Sequence, residues 1–252
     1  VVMKLGKIKL AAILGVLAFS VFSAKGYCST LGDTVLLEKK ADASIPLMFA
    51  SEYTYTYDTN QTASKEHLTT TKVAYTGLWD GDVKPYVKLG AYKGESKDDS
   101  NNSTLEVETE MEVAYGAGIE AILKKFSNDV SVFGGVDFLY INADLDSVKL
   151  DGVKQTLSSE QEMATVNTFI GIGTEVEFAN GMLKPYVGAS YQHSRVKSYV
   201  NIGGATTSDD DAEDDILPFA GVNYEKNNWA VGVEGSYLDS DASISASFTL
   251  QF

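Results

Sequence analysis

From Thr104 to Leu123 the chain reads TLEVETEMEVAYGAGIEAIL and alternates at nearly every step. Odd positions are Leu105, Val107, Thr109, Met111, Val113, Tyr115, Ala117, Ile119, Ala121 and Leu123. Even positions include Glu106, Glu108, Glu110, Glu112, Gly116, Gly118 and Glu120. A helix would scatter both sets around its circumference, whereas a strand sorts them onto two faces. One face is then fatty along the whole stretch, and the other carries carboxylates and glycines.

The same division recurs through the chain. Ile45, Leu47, Phe49, Tyr53, Tyr55 and Tyr57 oppose Met48, Ala50, Glu52, Thr54 and Thr56. Val166, Ile170, Ile172, Val176 and Phe178 oppose Asn167, Gly171, Gly173, Glu175 and Glu177, and Trp229, Val231, Val233 and Tyr237 oppose Ala230, Gly232, Glu234 and Ser236. Ten such segments can be read, roughly 43–57, 68–79, 83–93, 104–124, 129–145, 162–178, 183–199, 216–226, 229–238 and 241–252. The fifth is the least clean, because Phe133, Leu139 and Ile141 share a face with Asp137. Connections alternate as well. Short turns fall at Asp80–Asp82, Phe126–Asp129, Asn180–Gly181 and Lys226–Asn228, and polar stretches such as SKDDSNNS, SVKLDGVKQTLSSEQE and IGGATTSDDDAEDD lie between them. Period two with alternating turn lengths predicts antiparallel strands joined as consecutive hairpins.

The first residues stand apart. Lys4, Lys7 and Lys9 precede an apolar run from Leu10 to Phe22, followed by small residues including Ala24 and Gly26. This is the layout of a secretory signal peptide and is too short for a spanning helix. We expect residues 1–26 to be the signal, 27–42 a periplasmic N-terminal segment and 43–252 the folded domain. The single cysteine, Cys28, allows neither an internal disulfide nor a cysteine-based zinc cluster. The formal charge is −15, and losing Lys4, Lys7, Lys9 and Lys25 takes it to about −19. That excess argues against nucleic acid as a partner. No later stretch is apolar for 18 residues, so a mature chain in a membrane must cross as strands.

A soluble sandwich would alternate too, but its inner face would be densely apolar. Here the face opposite the fatty one holds glycine, serine, threonine and scattered charge. Aromatics mark both ends of the fatty band. Trp79, Phe126, Phe178 and Trp229 sit beside short turns, with Phe252 at the same level. Tyr53, Tyr55, Tyr57, Tyr92, Tyr140, Tyr191 and Tyr237 gather toward the long connections. Two aromatic girdles around an aliphatic band fit a membrane barrel. The expected fold is therefore all-β: a closed antiparallel up-and-down transmembrane barrel of about ten strands, with short periplasmic turns and longer extracellular loops. The last segment, SISASFTLQF, must pair with the first, because an open edge in lipid would leave backbone groups unsatisfied.

Several stretches carry a family likeness: KPYVKLGAY, KPYVGASY, LPFAGVNYEKNNWAVGVEGSY and SFTLQF. With them the chain resembles the small outer-membrane β-barrel proteins of Gram-negative bacteria, the OmpA/OmpX-like barrels and their uncharacterised relatives. The resemblance implies residence in the outer membrane among lipid and lipopolysaccharide. It also implies hand-over to the barrel-assembly machinery through the C-terminal strand, a monomer, and no cofactor.

Candidate sites are sparse. By strict parity Glu106, Glu108, Glu110, Glu112, Glu120 and Glu175 point into the lumen with Lys88 and Lys184, joined by Lys72, Lys84, Glu177 and Glu234. Such charges either fill the bore as ion pairs or line a narrow cation-leaning path. His67, expected in the first long loop, and His193, expected to face outward with Val187 and Ala189, are the two histidines. Catalysis at the rim would need one of them beside a carboxylate in a shared cleft. The run Asp209–Asp215, expected in the fourth long loop, has the donors but not the spacing of a calcium loop. The reading is a non-enzymatic membrane barrel with a structural or surface-interaction role, or a narrow small-solute passage. The alternative is a rim enzyme acting on peptide or lipid, like the omptins or the lipid-modifying barrels. No metal ligand set is expected.

Overall fold

The computed structural model describes residues 46–58, 62–79, 82–100, 103–126, 129–154, 158–202, 205–238 and 241–252. The expected signal, the N-terminal segment and Cys28 lie outside them. The strands are β1 (Leu47–Asp58), β2 (Thr62–Tyr75), β3 (Val83–Ser100), β4 (Ser103–Thr109), β5 (Glu112–Lys125), β6 (Val130–Leu150) and β7 (Val153–Lys154). They continue as β8 (Ser158–Thr174), β9 (Val176–Phe178), β10 (Gly181–Ile202), β11 (Ala205–Lys226), β12 (Trp229–Leu238) and β13 (Asp241–Gln251). β4 with β5 and β8 with β9 are interrupted single staves, and β7 is a two-residue return on β6. The result is a closed ten-stave antiparallel barrel.

β13 pairs with β1 from Gln251↔Met48 to Asp241↔Asp58, so the terminal alternation closes the cylinder as expected. Across this seam Thr54 and Ser245 hydroxyls meet at 2.9 Å, and the rings of Phe49 and Phe252 touch edge to face at 5.4 Å. The staves are strongly staggered. Followed across paired residues, Ser51 leads through Thr71, Leu89, Tyr115, Tyr140, Ala164 and Arg195 to Ala212. In the other direction it leads through Phe248 and Val231 to Tyr224. Ala212 and Tyr224 are twelve residues apart on one strand. That stagger tilts the staves by about 40° to the barrel axis.

The outward face is the fatty one: Val87, Leu89, Val113, Tyr115, Ile119, Val136, Ile170, Ile172, Val187, Val233, Ile244 and Phe248 are all exposed on the isolated barrel. No soluble fold leaves so continuous an apolar belt uncovered; lipid is the solvent that fits it. Tight turns close one end. Ala179–Asn180 joins Phe178 to Gly181 with φ of 48° and 62° at its two central residues, as the twist of a two-residue hairpin demands.

At the opposite end the strands run much farther than the alternation indicated. β3–β4, β6–β8 and β10–β11 continue through most of SKDDSNNS, much of SVKLDGVKQTLSSEQE and most of IGGATTSDDDAEDD, where loops were expected. The acidic run Asp209–Asp215 is therefore strand, paired residue by residue with Ser198 to Gln192. His67 likewise lies in β2 opposite Tyr55, not in a loop.

Candidate functional site: a filled lumen

The inward face was expected to be poor core material. Its buried residues nevertheless fill the bore in three apolar groups joined by charge. Toward the tight-turn end Met48, Ala74, Tyr86 and Ala230 pack together from four staves. Phe133, Phe169, Tyr186 and Phe219 form an aromatic cluster, with Phe133 5.9 Å from Tyr186 and 6.5 Å from both Phe169 and Phe219. Phe133 was one of the residues that made the fifth segment read poorly; its neighbours in that pattern, Leu139 and Ile141, also turn inward. They join Leu68, Tyr92, Ala114, Ala143, Met163 and Val196 in a third group, which brings β2 and β3 against β8 and β10. Tyr92, placed in the outer girdle from its position, is fully buried here.

The aromatic rings fit because glycines face them. Side chains at Gly171, Gly188 and Gly221 would run into the rings of Phe133, Phe219 and Tyr186 respectively, and one at Gly118 would strike Tyr86. The inward glycines that seemed to leave an empty bore instead make room for rings lying along the wall.

Between the apolar groups runs a network of buried charge. Lys72 pairs with Glu120, both essentially inaccessible, and the Lys72 ammonium lies 4.1 Å from the Tyr86 ring centre. Lys88 pairs with Asp137, which also accepts the Tyr86 hydroxyl at 2.6 Å. Lys184 bridges Glu175 at 3.1 Å and Glu225 at 3.0 Å. The Tyr186 hydroxyl donates to Glu234 at 3.0 Å. Charges taken out of water are costly unless paired and hydrogen-bonded. Lys72, Lys88 and Lys184 are each paired with a carboxylate, so the ionic layer and the apolar groups together form a core. Glu120, Glu175, Lys88 and Lys184 are all members of this network, and Lys72 and Lys84 are also buried. Glu177, grouped with them by parity, lies exposed in β9.

The glutamate ladder behaves differently. Among the described residues Val107 and Thr109 are the buried ones of β4, whereas Ala114 and Glu120 are those of β5. The face changes because the stave breaks at Glu110–Met111 and the register against β6 shifts after Glu108. Glu106 and Glu108 therefore lie on the side away from Val107, more than a third exposed, near the Lys149 ammonium at 3.6 and 3.8 Å. Glu110 is exposed, and Glu112 accepts the Asp144 backbone N–H at 3.4 Å. The expectation of four carboxylates lining the lumen is corrected by that break.

The other candidate residues lie on the outer wall. Trp79, Phe126, Phe178 and Phe252 are exposed at the tight-turn end, and Trp229 is half-buried against Tyr224 at 5.8 Å. His67 Nδ1 lies 2.6 Å from the Tyr53 hydroxyl, and its ring stacks near Tyr55. His193 faces outward as parity indicated and meets Asp214 at 2.7 Å. Tyr191 donates to the same carboxylate at 2.6 Å, and these two bonds, the tyrosine's first, hold Asp214 below the ordinary carboxylate range. The Arg195 guanidinium does the same for Asp210, through bonds of 2.8 and 2.5 Å. The two histidines sit on non-adjacent strands and share no cleft. Strand geometry puts Asp209, Asp211, Glu213 and Asp215 on one face and Asp210 and Asp214 on the other. Among the described residues, no group of three or more His, Cys, Asp or Glu is placed to hold a metal.

Among solved structures the chain is similar to the translocator domain of autotransporter NalP from Neisseria meningitidis. The two are 9% identical, the match covers 82% of this chain and 87% of that one, and the TM-score is 0.49. It is also similar to the outer membrane protease OmpT from Escherichia coli, at 8% identity over 84% and 99% of the chains and a TM-score of 0.49. Ail, the attachment invasion locus protein of Yersinia pestis, matches at 10% identity over 81% and 94% with a TM-score of 0.34. No curated protein matches it in sequence. One family does match, and it is not the OmpA/OmpX-like group to which the motifs were likened; the outer-membrane barrel is the common ground. Matched over residues 48–227, this chain belongs to the autotransporter beta-domain family.

Proposed function

We propose that this barrel resides in the outer membrane of a Gram-negative bacterium, tight turns toward the periplasm, and acts through its cell-surface wall without passing solutes or polypeptide through its bore. The observation that carries this reading is the occupied lumen. Leu68, Tyr92, Met163 and Val196 close one half from opposite walls, and the Phe133 cluster with the Lys72–Glu120 and Lys88–Asp137 pairs occupies the other. A conduit would need polar walls held apart by water. The long extracellular staves supply a surface for recognition. Lipopolysaccharide and lipid are the expected surroundings, the C-terminal strand the expected address for the assembly machinery, and a monomer the expected state. The rim-enzyme reading has less support, because both histidines face outward and apart.

Recording from the refolded full chain in planar bilayers tests the proposal. We expect no steady conductance from the wild type, and steps to appear once Phe133→Ala and Phe169→Ala are combined with Tyr92→Ala and Met163→Ala, which thin both closed halves. Stable ion currents through the unmodified protein would refute it.

A further inference from the structure

The stagger of the barrel leaves one strand edge exposed. From Ala205 to Leu217, β11 pairs with β10 on one side, residue for residue. Its other neighbour, β12, meets it only from Phe219 onward. Among the described residues no strand pairs with that second side of Ala205–Leu217, an edge on the order of 40 Å long at about 3.3 Å per residue. β12 stops at Leu238 and β13 starts at Asp241, so the wall drops there in a single step.

Two observations show which backbone groups face the gap. The two-residue turn after Lys226 closes on Trp229, so the even-numbered residues of β11 direct their amides toward β12. Farther up, the Ala212 N–H turns to its neighbour's carboxylate, Asp211 Oδ1 at 2.9 Å, instead of to β10. Ser208, Asp210, Ala212, Asp214 and Ile216 therefore present N–H and C=O groups along the open side. Pro218, the next even position, has no N–H to give, which explains why pairing with β12 ends at Phe219.

Exposed edges of this kind invite strand addition. The charge of this one selects the guest. Asp209, Asp210, Asp211, Glu213, Asp214 and Asp215 lie along it. Arg195 and His193 answer Asp210 and Asp214 from the β10 side. A second copy brought antiparallel onto the same edge would set acid against acid, which disfavours self-pairing. We propose that the open edge of β11, from Ser208 to Ile216, docks an extended, lysine- or arginine-bearing segment of another polypeptide by strand addition. This deepens the surface-interaction reading above and rests on it for its setting outside the cell.

The test uses the full chain refolded in lipid nanodiscs and a fluorescent twelve-residue peptide alternating lysine with threonine, followed by anisotropy. Two further peptides serve as arms: one with N-methyl groups on alternate amides, and one with glutamate in place of lysine. We expect saturable binding of the lysine peptide, at least a tenfold loss on N-methylation, and none with glutamate. Ala212→Pro should weaken binding to a similar degree, since it removes an edge donor without touching the β10 ladder. Asp209→Asn with Asp211→Asn should weaken it and flatten its salt dependence. Equal binding of the methylated peptide would reduce the effect to charge alone and overturn the proposal, as would absence of saturable binding by the lysine peptide. The methylated arm needs no change to the protein, so a variant that fails to fold cannot obscure the answer. Conductance is measured separately: currents with intact peptide binding would sink the closed-bore reading only, and a silent barrel that ignores the peptide would sink this one only.

Discussion

Lys184→Met offers a direct measure of how dry the bore is. The Lys184 side chain is 1% exposed, and the carboxylates it bridges, Glu175 and Glu225, are 25% and 7% exposed. Methionine keeps the length and packing of the lysine stem but leaves two acids facing one another without their shared cation. If water filled the lumen, each lost pair would be worth about 1 kcal/mol, the value for unit charges at contact distance in bulk solvent. In a packed, dry lumen, stranding buried carboxylates costs about 3–5 kcal/mol. Partial exposure of Glu175 favours the lower part of that range, near 3 kcal/mol. Reversible urea unfolding in lipid vesicles, followed through Trp79 and Trp229 fluorescence, gives the difference directly. The triple variant Lys184→Met, Glu175→Gln, Glu225→Gln should recover most of the loss, because the cost comes from uncompensated charge and not from the missing ammonium. A Lys184→Met penalty of about 2 kcal/mol or less for the two lost pairs, unchanged in the triple variant, would show a wet lumen and refute the reasoning.

Gly188→Ala forces a methyl group against the Phe219 ring and the Ile170 carbonyl; a loss of about 1–3 kcal/mol is expected, read as a lower urea midpoint at unchanged slope. Ala179→Gly relieves a positive φ of 48° in the tight turn while keeping the carbonyl that accepts the Tyr224 hydroxyl at 3.1 Å, and should raise the urea midpoint by about 1 kcal/mol equivalent. The Arg195 guanidinium holds Asp210 below the ordinary 3.8, so the pair's contribution is complete above that value and is lost as pH falls through the lowered one. Carbon-13 titration of Asp210 should show a midpoint under 3.8 that returns to the ordinary range in Arg195→Gln.

The barrel itself was legible because lipid enforces alternation wherever a strand crosses it. The outward row Val113, Tyr115, Ala117 and Ile119 could be read directly, as could the pairing of the last strand with the first. Above the lipid that constraint lapses. Asp209–Asp215 and Ser96–Ser100 read as loops since neither face is greasy, yet they are strands held by backbone pairing with neighbouring strands, which no local composition reports. The break at Glu110–Met111 was hidden for a similar reason: alternation continues across it in sequence while the face it denotes reverses in space. Tyr92 and Leu139 misled in the opposite sense, being apolar or aromatic residues on the inward row whose partners lie across the bore. The inward glycines of β8, β10 and β11 were visible; that they are seats for rings follows only from knowing which aromatic sits on the adjacent stave.

The twelve-residue stagger has a bearing on how such a cylinder reaches one final closure. A slip of one residue at the β1–β13 seam would turn a whole stave inside out, and the bilayer would reject it. A slip of two would leave every oily side chain facing lipid, so the membrane alone cannot detect the mistake. It would, however, change the tilt and therefore the width of the tube, pulling Lys72 from Glu120 and the phenylalanines from their seats. The packed interior thus serves as the proofreader of assembly, accepting a single circumference where the surrounding lipid would tolerate several.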